Sequence, residues 1–260
     1  MADALRAIRR AAPAFAAAIR LHLIETSRRL RAIQLERLPE GTWHDSFDSV
    51  PEAPFVLLAN EFLDALPIRQ FILRSGAWTE RFVEEGSFVE VPASPPSPLV
   101  GRRCEEAVCQ IHEVNEPALA LARSLGQRIV TRPGAALFLD YGPERSSAGD
   151  SLQAVQHGRP TDPLSDPGAA DITAHVDFAA FGNAARNAGA VTYGPIPQGV
   201  FLTRLGLFQR TDRLARTQPI ERAAALIEAA RRLAEPNRMG RLFKALALAK
   251  ANGPVPPGFE

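Results

Sequence analysis

Apolar positions along this chain alternate between short unbroken runs and longer stretches with helical spacing. The opening stretch, MADALRAIRRAAPAFAAAIR, sets Leu5, Ile8, Phe15 and Ile19 close to one face with Arg6, Arg9, Arg10 and Arg20 off it, which predicts an amphipathic helix bent or divided at Pro13. LHLIE (21–25) reads as a strand, and Thr26 or Ser27 caps a helix over RLRAIQLERL. FVLLAN (55–60) is continuously apolar, as expected of a strand covered by helices on both faces. From Arg69 to Val91 the runs QFIL, TERFV and SFVEV, separated by SGA and EEG, predict an antiparallel meander, and PASPPSP (92–98) an exposed loop.

Beyond that loop a helix is expected from about Pro117 to Ile129, then a continuous strand GAALFLDYG (134–142). Further helices are expected over 177–188, 219–233 and 238–249, the last from a stripe of Met239, Leu242, Phe243 and Leu246. VTYGPIPQGVFL suggests a late strand, a loop and another apolar segment. No internal repeat is visible. This alternation of helices with buried strands predicts an α/β fold built on an open, mostly parallel sheet.

Ligands of such sheets bind beyond the carboxyl ends of the strands. Three of the expected strands end in acids or an amide: Glu25, Asn60 with Glu61 and Asp64 close behind, and Asp140 followed by Tyr141. Each has a plain alternative, a carboxylate favoured by a helix dipole for Glu25, a capped turn for residues 60–64 and a simple turn for Asp140. Repetition at one sheet edge favours a functional cluster. Asp171, Thr173 and Asp177 read as loop anchors and helix caps, with a lid over the site as the functional alternative.

Composition narrows the classes. A chain of 260 residues with 46% hydrophobic and 23% charged residues and a formal charge of +1 is neither a disordered chain nor a nucleic-acid tail. No run approaches the roughly 18 apolar residues of a membrane span. The opening segment also has the Ala/Arg bias of an organellar transit peptide, but no cleavage signal follows it, and a folded helix is the expectation. Cys104 and Cys109 fit neither a redox pair nor a zinc knuckle and are expected as reduced thiols. The five histidines show no metal-ligand spacing, so no metal is expected. Glu61 and Asp64 sit too near each other in the chain to flank a scissile bond as a hydrolase pair. Neither a GxG loop nor a P-loop occurs, since no two of the 18 glycines are separated by a single residue.

LLANEFLDALPIRQF, LFLDYG, DPLSDPGAADITAHVDF, PQGVFLTRLGLFQR and NRMGRLFKALAL resemble, in the same order, segments of the MidA-like family of class I S-adenosylmethionine-dependent methyltransferases. The resemblance runs from Met1 to Phe259, with Pro197 standing where the family more often has Thr. It implies a Rossmann-like sheet with an inserted β meander and C-terminal helices, S-adenosyl-L-methionine as cofactor, and a protein arginine as acceptor. Mitochondrial members assist respiratory complex I assembly, which implies a respiratory-complex subunit as partner. It also implies a mitochondrial matrix location in a eukaryote, or the cytoplasm in a bacterium. Nucleic acid and membrane insertion are not implied, and homo-oligomerisation stays open.

In that family a strand and a glycine-rich loop stand just before the segment resembling MADALRAIRR, so the expectation is a chain that begins after the cofactor loop and lacks the central strand. The organisation expected is a partial methyltransferase core over 1–68, the meander and loop over 69–98, the rest of the core over 99–210 and a helical segment over 211–260. Glu25 then takes the place of the acid that accepts ribose hydroxyl hydrogen bonds, and Trp43 either packs or covers the adenine. Asn60 touches the methionyl part of the donor or holds its loop. Glu61, with Asp64 on the same first turn of a helix, grips the acceptor guanidinium, and Asp140 and Tyr141 line the acceptor side. Weak or no donor binding is expected of a chain lacking the loop, and a non-catalytic assembly protein that kept the acceptor surface is the alternative from another class.

Overall fold

The computed structural model describes residues 1–96 and 110–260, in two units, Met1–Ala53 and Pro54–Glu260. Cys104, Cys109 and the end of the proline-rich loop lie outside the described residues.

In the first unit, α1 (Ala2–Ala11) and α2 (Pro13–Ala18) replace one bent helix. Pro13 lacks the N–H an interior position would need and instead opens α2, where a first-turn proline costs nothing. Next come β1 (His22–Ile24), α3 (Arg28–Arg37) and β2 (Thr42–His44), with β1 and β2 parallel in register His22 to Thr42. Ser27 caps α3 by accepting the Leu30 N–H at 3.3 Å, as the sequence predicts. Leu5, Leu38 and Phe47 are the buried apolar side chains of this unit.

The second unit opens with β3 (Phe55–Asn60) and an antiparallel sheet of β4 (Arg69–Arg74), β5 (Ala77–Glu84), β6 (Ser87–Pro92) and β7 (Gln110–Val114), in spatial order β6-β5-β4-β7. Phe71 and Val114 form its buried cluster with Trp78 and with Leu119 of α4 (Glu116–Thr131). β8 (Gly134–Tyr141) follows, then a small antiparallel sheet of β9 (Gln153–Gln156), β10 (Arg159–Thr161) and β11 (Asp171–Thr173). The chain continues through α5 (Phe178–Asn187), β12 (Val191–Pro197), α6 (Gln198–Arg204), α7 (Leu207–Ala215), α8 (Ile220–Ala234) and β13 (Phe243–Ala249).

β12, β13, β8 and β3 make the main sheet in that order. On β8 the buried positions are Ala136, Phe138 and Asp140, and Phe138 meets Phe181 of α5 edge to face, with ring centroids 4.8 Å apart. α4 lies close on α5 because Gly126 carries no Cβ, which would stand 2.6 Å from the Ala188 Cβ and 2.7 Å from the Ala185 carbonyl oxygen.

Three expectations are corrected. The helix expected over 238–249 is a strand: β13 runs antiparallel between β8 and β12, with every residue buried. A short run apolar on all sides carries helical spacing by accident, and pairing to two neighbours overrides the helix preference of Ala and Leu. That strand also makes the main sheet mixed, since only β3 and β8 pair in parallel within it. Finally, β3 is not covered on both faces. It ends the sheet, and Val56 and Leu58 on its outer face are 69% and 51% exposed.

Candidate active site

At the end of β3 the chain leaves the strand through Glu61, whose φ of 48° lies in the left-handed region. No helix starts there, so Glu61 and Asp64 do not share a helical turn as expected. Asp140, at the end of the neighbouring parallel strand, shapes the loop instead. Its Oδ2 accepts the backbone N–H groups of Phe62, Leu63 and Asp64 at 3.1, 2.9 and 3.4 Å, and its Oδ1 that of Tyr141 at 2.9 Å. At 1% exposure Asp140 lines no acceptor surface. It fixes the loop that does, because a carboxylate collecting several N–H groups gives a turn without regular structure its hydrogen bonds. Asn115 secures the same loop from the start of α4, donating to the Leu63 carbonyl at 3.0 Å.

Held this way, Asp64 is 5% exposed, yet no hydrogen-bond partner reaches its Oδ1 among the described residues. The Tyr141 hydroxyl beside it donates to Thr173 Oγ1 at 2.5 Å and accepts from Gln153 at 3.0 Å. Asn60 and Glu61 face solvent, joined by a 3.3 Å hydrogen bond. Burial raises the Asp64 carboxyl above its ordinary range, opposed by the Tyr141 hydroxyl. Burial, then the neighbouring Asp64 charge, lifts Asp140 to about 6. The result is a concentration of negative charge with a buried, unsatisfied acceptor atom, an arrangement suited to a cation with planar N–H donors.

Glu25 and Trp43 come together in the first unit. Glu25 Oε1 accepts the Ser27 N–H at 2.9 Å and its Oε2 accepts from Gln34 at 3.2 Å, while the Trp43 indole N–H donates to the other end of Gln34 at 2.8 Å. Each Glu25 oxygen keeps a lone pair for a ribose hydroxyl, so the donor set fits a nucleoside. Asp177 is the helix cap expected, accepting the Ala180 N–H at 2.8 Å, and the Ala174 N–H bonds the Asp64 carbonyl at 3.0 Å. Sequence reasoning missed Gln153, Glu113 and Asp150. Glu113, Asp150 and His175 line a cavity of about 280 Å³, where Asp150 is paired with Arg81 at 2.8 Å. Gln153 stands on a strand of four residues, Glu113 on one of five, and Asp150 and His175 in loops, and none of these settings gives a periodic signal.

A family model described as "Putative S-adenosyl-L-methionine-dependent methyltransferase" matches residues 1–196. The chain belongs to that family. It is 32% identical over 235 residues to the protein arginine methyltransferase NDUFAF7 homolog, mitochondrial, of Drosophila melanogaster, across 83% of this chain and 53% of the relative. To the human protein arginine methyltransferase NDUFAF7, mitochondrial, it is 30% identical over 264 residues, across 88% of this chain and 58% of the relative. The chain thus spans little more than half the length of these curated relatives. A crystal structure of a Burkholderia thailandensis protein bound to S-adenosyl-homocysteine superposes with a TM-score of 0.79 at 28% identity, across 99% of this chain and 70% of that one. The family's fold is therefore this chain's fold, an α/β class I methyltransferase architecture. No helix among the described residues is long and apolar enough to cross a membrane.

Proposed function

We propose that this protein transfers a methyl group from S-adenosyl-L-methionine to an arginine side chain of a protein substrate, with the β3 loop as the acceptor site. Family membership and the names of the curated relatives support the reaction class. The observation that carries the acceptor assignment is the buried Asp64 carboxylate with no partner at Oδ1, beside the exposed Glu61. Burying a carboxylate without satisfying it costs free energy that an arriving guanidinium recovers.

When bound, the donor supplies a methyl group already activated on a sulfonium, so no nucleophile need be generated on the protein. The chain's own residues hold the accepting nitrogen still and strip it of water. Glu61 takes the guanidinium fork from the solvent side and Asp64 receives the inward N–H. Methylating a guanidinium nitrogen releases one proton, and Asp64, whose burial raises its proton affinity, is the acceptor within the pocket. Asp140 is a positioning residue, and Asn60 holds the solvent edge through Glu61. Glu25 would hold the donor ribose, with the Trp43 ring beside it. The family resemblance supports a respiratory-complex subunit as substrate, and the relatives' names support the mitochondrion as its place in a eukaryote.

Transfer of labelled methyl from S-adenosyl-L-methionine to arginine-containing protein tests the proposal. Glu61→Gln keeps the shape but loses the charge, and kcat/KM is expected to fall about a hundredfold, the worth of a charge-assisted pair. Unchanged turnover removes Glu61 from the role. On the donor side, Glu25→Ala is expected to weaken S-adenosyl-homocysteine binding about tenfold by calorimetry.

A further inference from the structure

Just past Tyr141 the chain enters a crevice of about 750 Å³ whose charge is opposite to that of the acceptor site. Arg145, Arg238, Arg241 and Lys244 line it against one carboxylate, Glu144. Arg238 is engaged by Glu228 and, at 3.2 Å, by Glu235. Arg145 and Arg241 are exposed and make no ion pair among the described residues. Lys244 is 6% exposed, and its amine donates to the Arg241 and Leu242 carbonyls at 2.6 and 3.2 Å. Two neutral carbonyls occupy two of its three protons and compensate none of its charge.

This crevice shares a wall at Pro143, Ser147 and His175 with the 280 Å³ cavity, whose Asn115 bonds the Leu63 carbonyl of the β3 loop. We propose that the basic crevice binds carboxylates of the acceptor protein, Asp or Glu side chains flanking the arginine to be methylated. The inference rests on the acceptor reading above and names the substrate class more closely, as an arginine in an acidic context. Two unpaired guanidinium forks match carboxylate geometry, and the buried Lys244 amine stands behind them. The lining carries no aromatic ring but His175 on which a base could stack, which favours a peptide over nucleic acid. Acids on the β3 loop for the target cation and a basic crevice for its flank would also fix the direction in which the substrate chain lies.

The test is binding of the full chain to an array of short peptides with a central arginine and flanks varied among Ser, Asp, Glu and Lys, without any methyl transfer. Acidic flanks are expected to bind about tenfold tighter than Ser flanks. In Arg145→Glu/Arg241→Glu that preference should vanish or turn toward Lys, and in the milder Arg145→Gln/Arg241→Gln it should shrink. Equal binding of acidic and Ser flanks, no binding to any peptide, or an acidic preference kept by both variants overturns the proposal. So does a loss of S-adenosyl-homocysteine affinity in the variants without a flank preference, which would mean the crevice holds the donor's own carboxylate. Because the readout is binding, an absent methylation activity would count against the reaction and leave this result standing.

Discussion

Asp140 at the end of β8 and Asp64 in the loop after β3 repel each other as like charges and divide the work between them. Asp140 collects four backbone N–H groups, and Asp64, in the loop those bonds hold, stays buried with an unsatisfied oxygen. Each raises the other's cost of ionising. A carboxyl lifted to about 6 from an unfolded value near 3.9 binds its proton more tightly in the folded chain. Its contribution to stability is therefore complete below the unfolded value and is lost as pH rises through about 6. Chemical denaturation should find the protein about 1 kcal/mol less stable at pH 8 than at pH 5 from this source. Asp64→Asn removes the neighbouring charge but not the burial that is the larger cause, so it should reduce that loss without removing it while abolishing arginine methylation. The same pair sets the activity profile. A cation needs ionised partners, so kcat/KM should fall as pH drops through the raised range of the Asp64 carboxyl, above that of an ordinary carboxylate, with an apparent value belonging to the pair. Equal stability of the wild type at pH 5 and pH 8 would place the Asp140 proton elsewhere.

Elements reveal which parts of the site the sequence could express. β3 and β8 were legible because each is a continuous apolar run closed by an acid, and Glu61, Asp64 and Asp140 sit where those runs end. What Asp140 does was not legible, since a strand-end carboxylate looks the same whether it faces solvent or gathers backbone N–H groups. Nor was β13, whose Ala, Leu and Lys content favours a helix until two strands flank it. The walls of both cavities depend on one contact no pattern announces. Gly142 follows β8, and a Cβ there would stand 2.2 Å from the Val176 carbonyl oxygen and 2.8 Å from its nitrogen, while the Val176 N–H bonds the Tyr141 carbonyl at 3.0 Å. Gly142→Ala must push the 142–147 loop away from the 174–176 segment, at a cost of about 2 kcal/mol in denaturation. It should also weaken peptide binding by more than its loss of stability explains, because both walls move. An alanine variant as stable as the wild type would show that this approach is slack.

At the scale of the molecule, the main sheet has unequal edges. β12 closes one side, with Tyr193 beside the Phe259 ring at 6.5 Å between centroids. β3 ends the other, with the polar groups of its outer edge unpaired within that sheet and Val56 and Leu58 turned to solvent. An edge strand that is apolar on its open face is a template for pairing with another chain, and charged side chains are the usual means of blunting one. The face carries neither charge nor proline between Phe55 and Ala59. Self-association through this strand should therefore rise with concentration, visible as a growing mass by light scattering. Val56→Lys places a charge at the most exposed of the two apolar positions, with little core to lose, and should lower that association several-fold while leaving thermal stability within about 0.5 kcal/mol. If the lysine variant associates as strongly as the wild type, the contact runs through another surface, and Leu214 and Ile220 on α7 and α8, 42% and 89% exposed, are the next positions to charge.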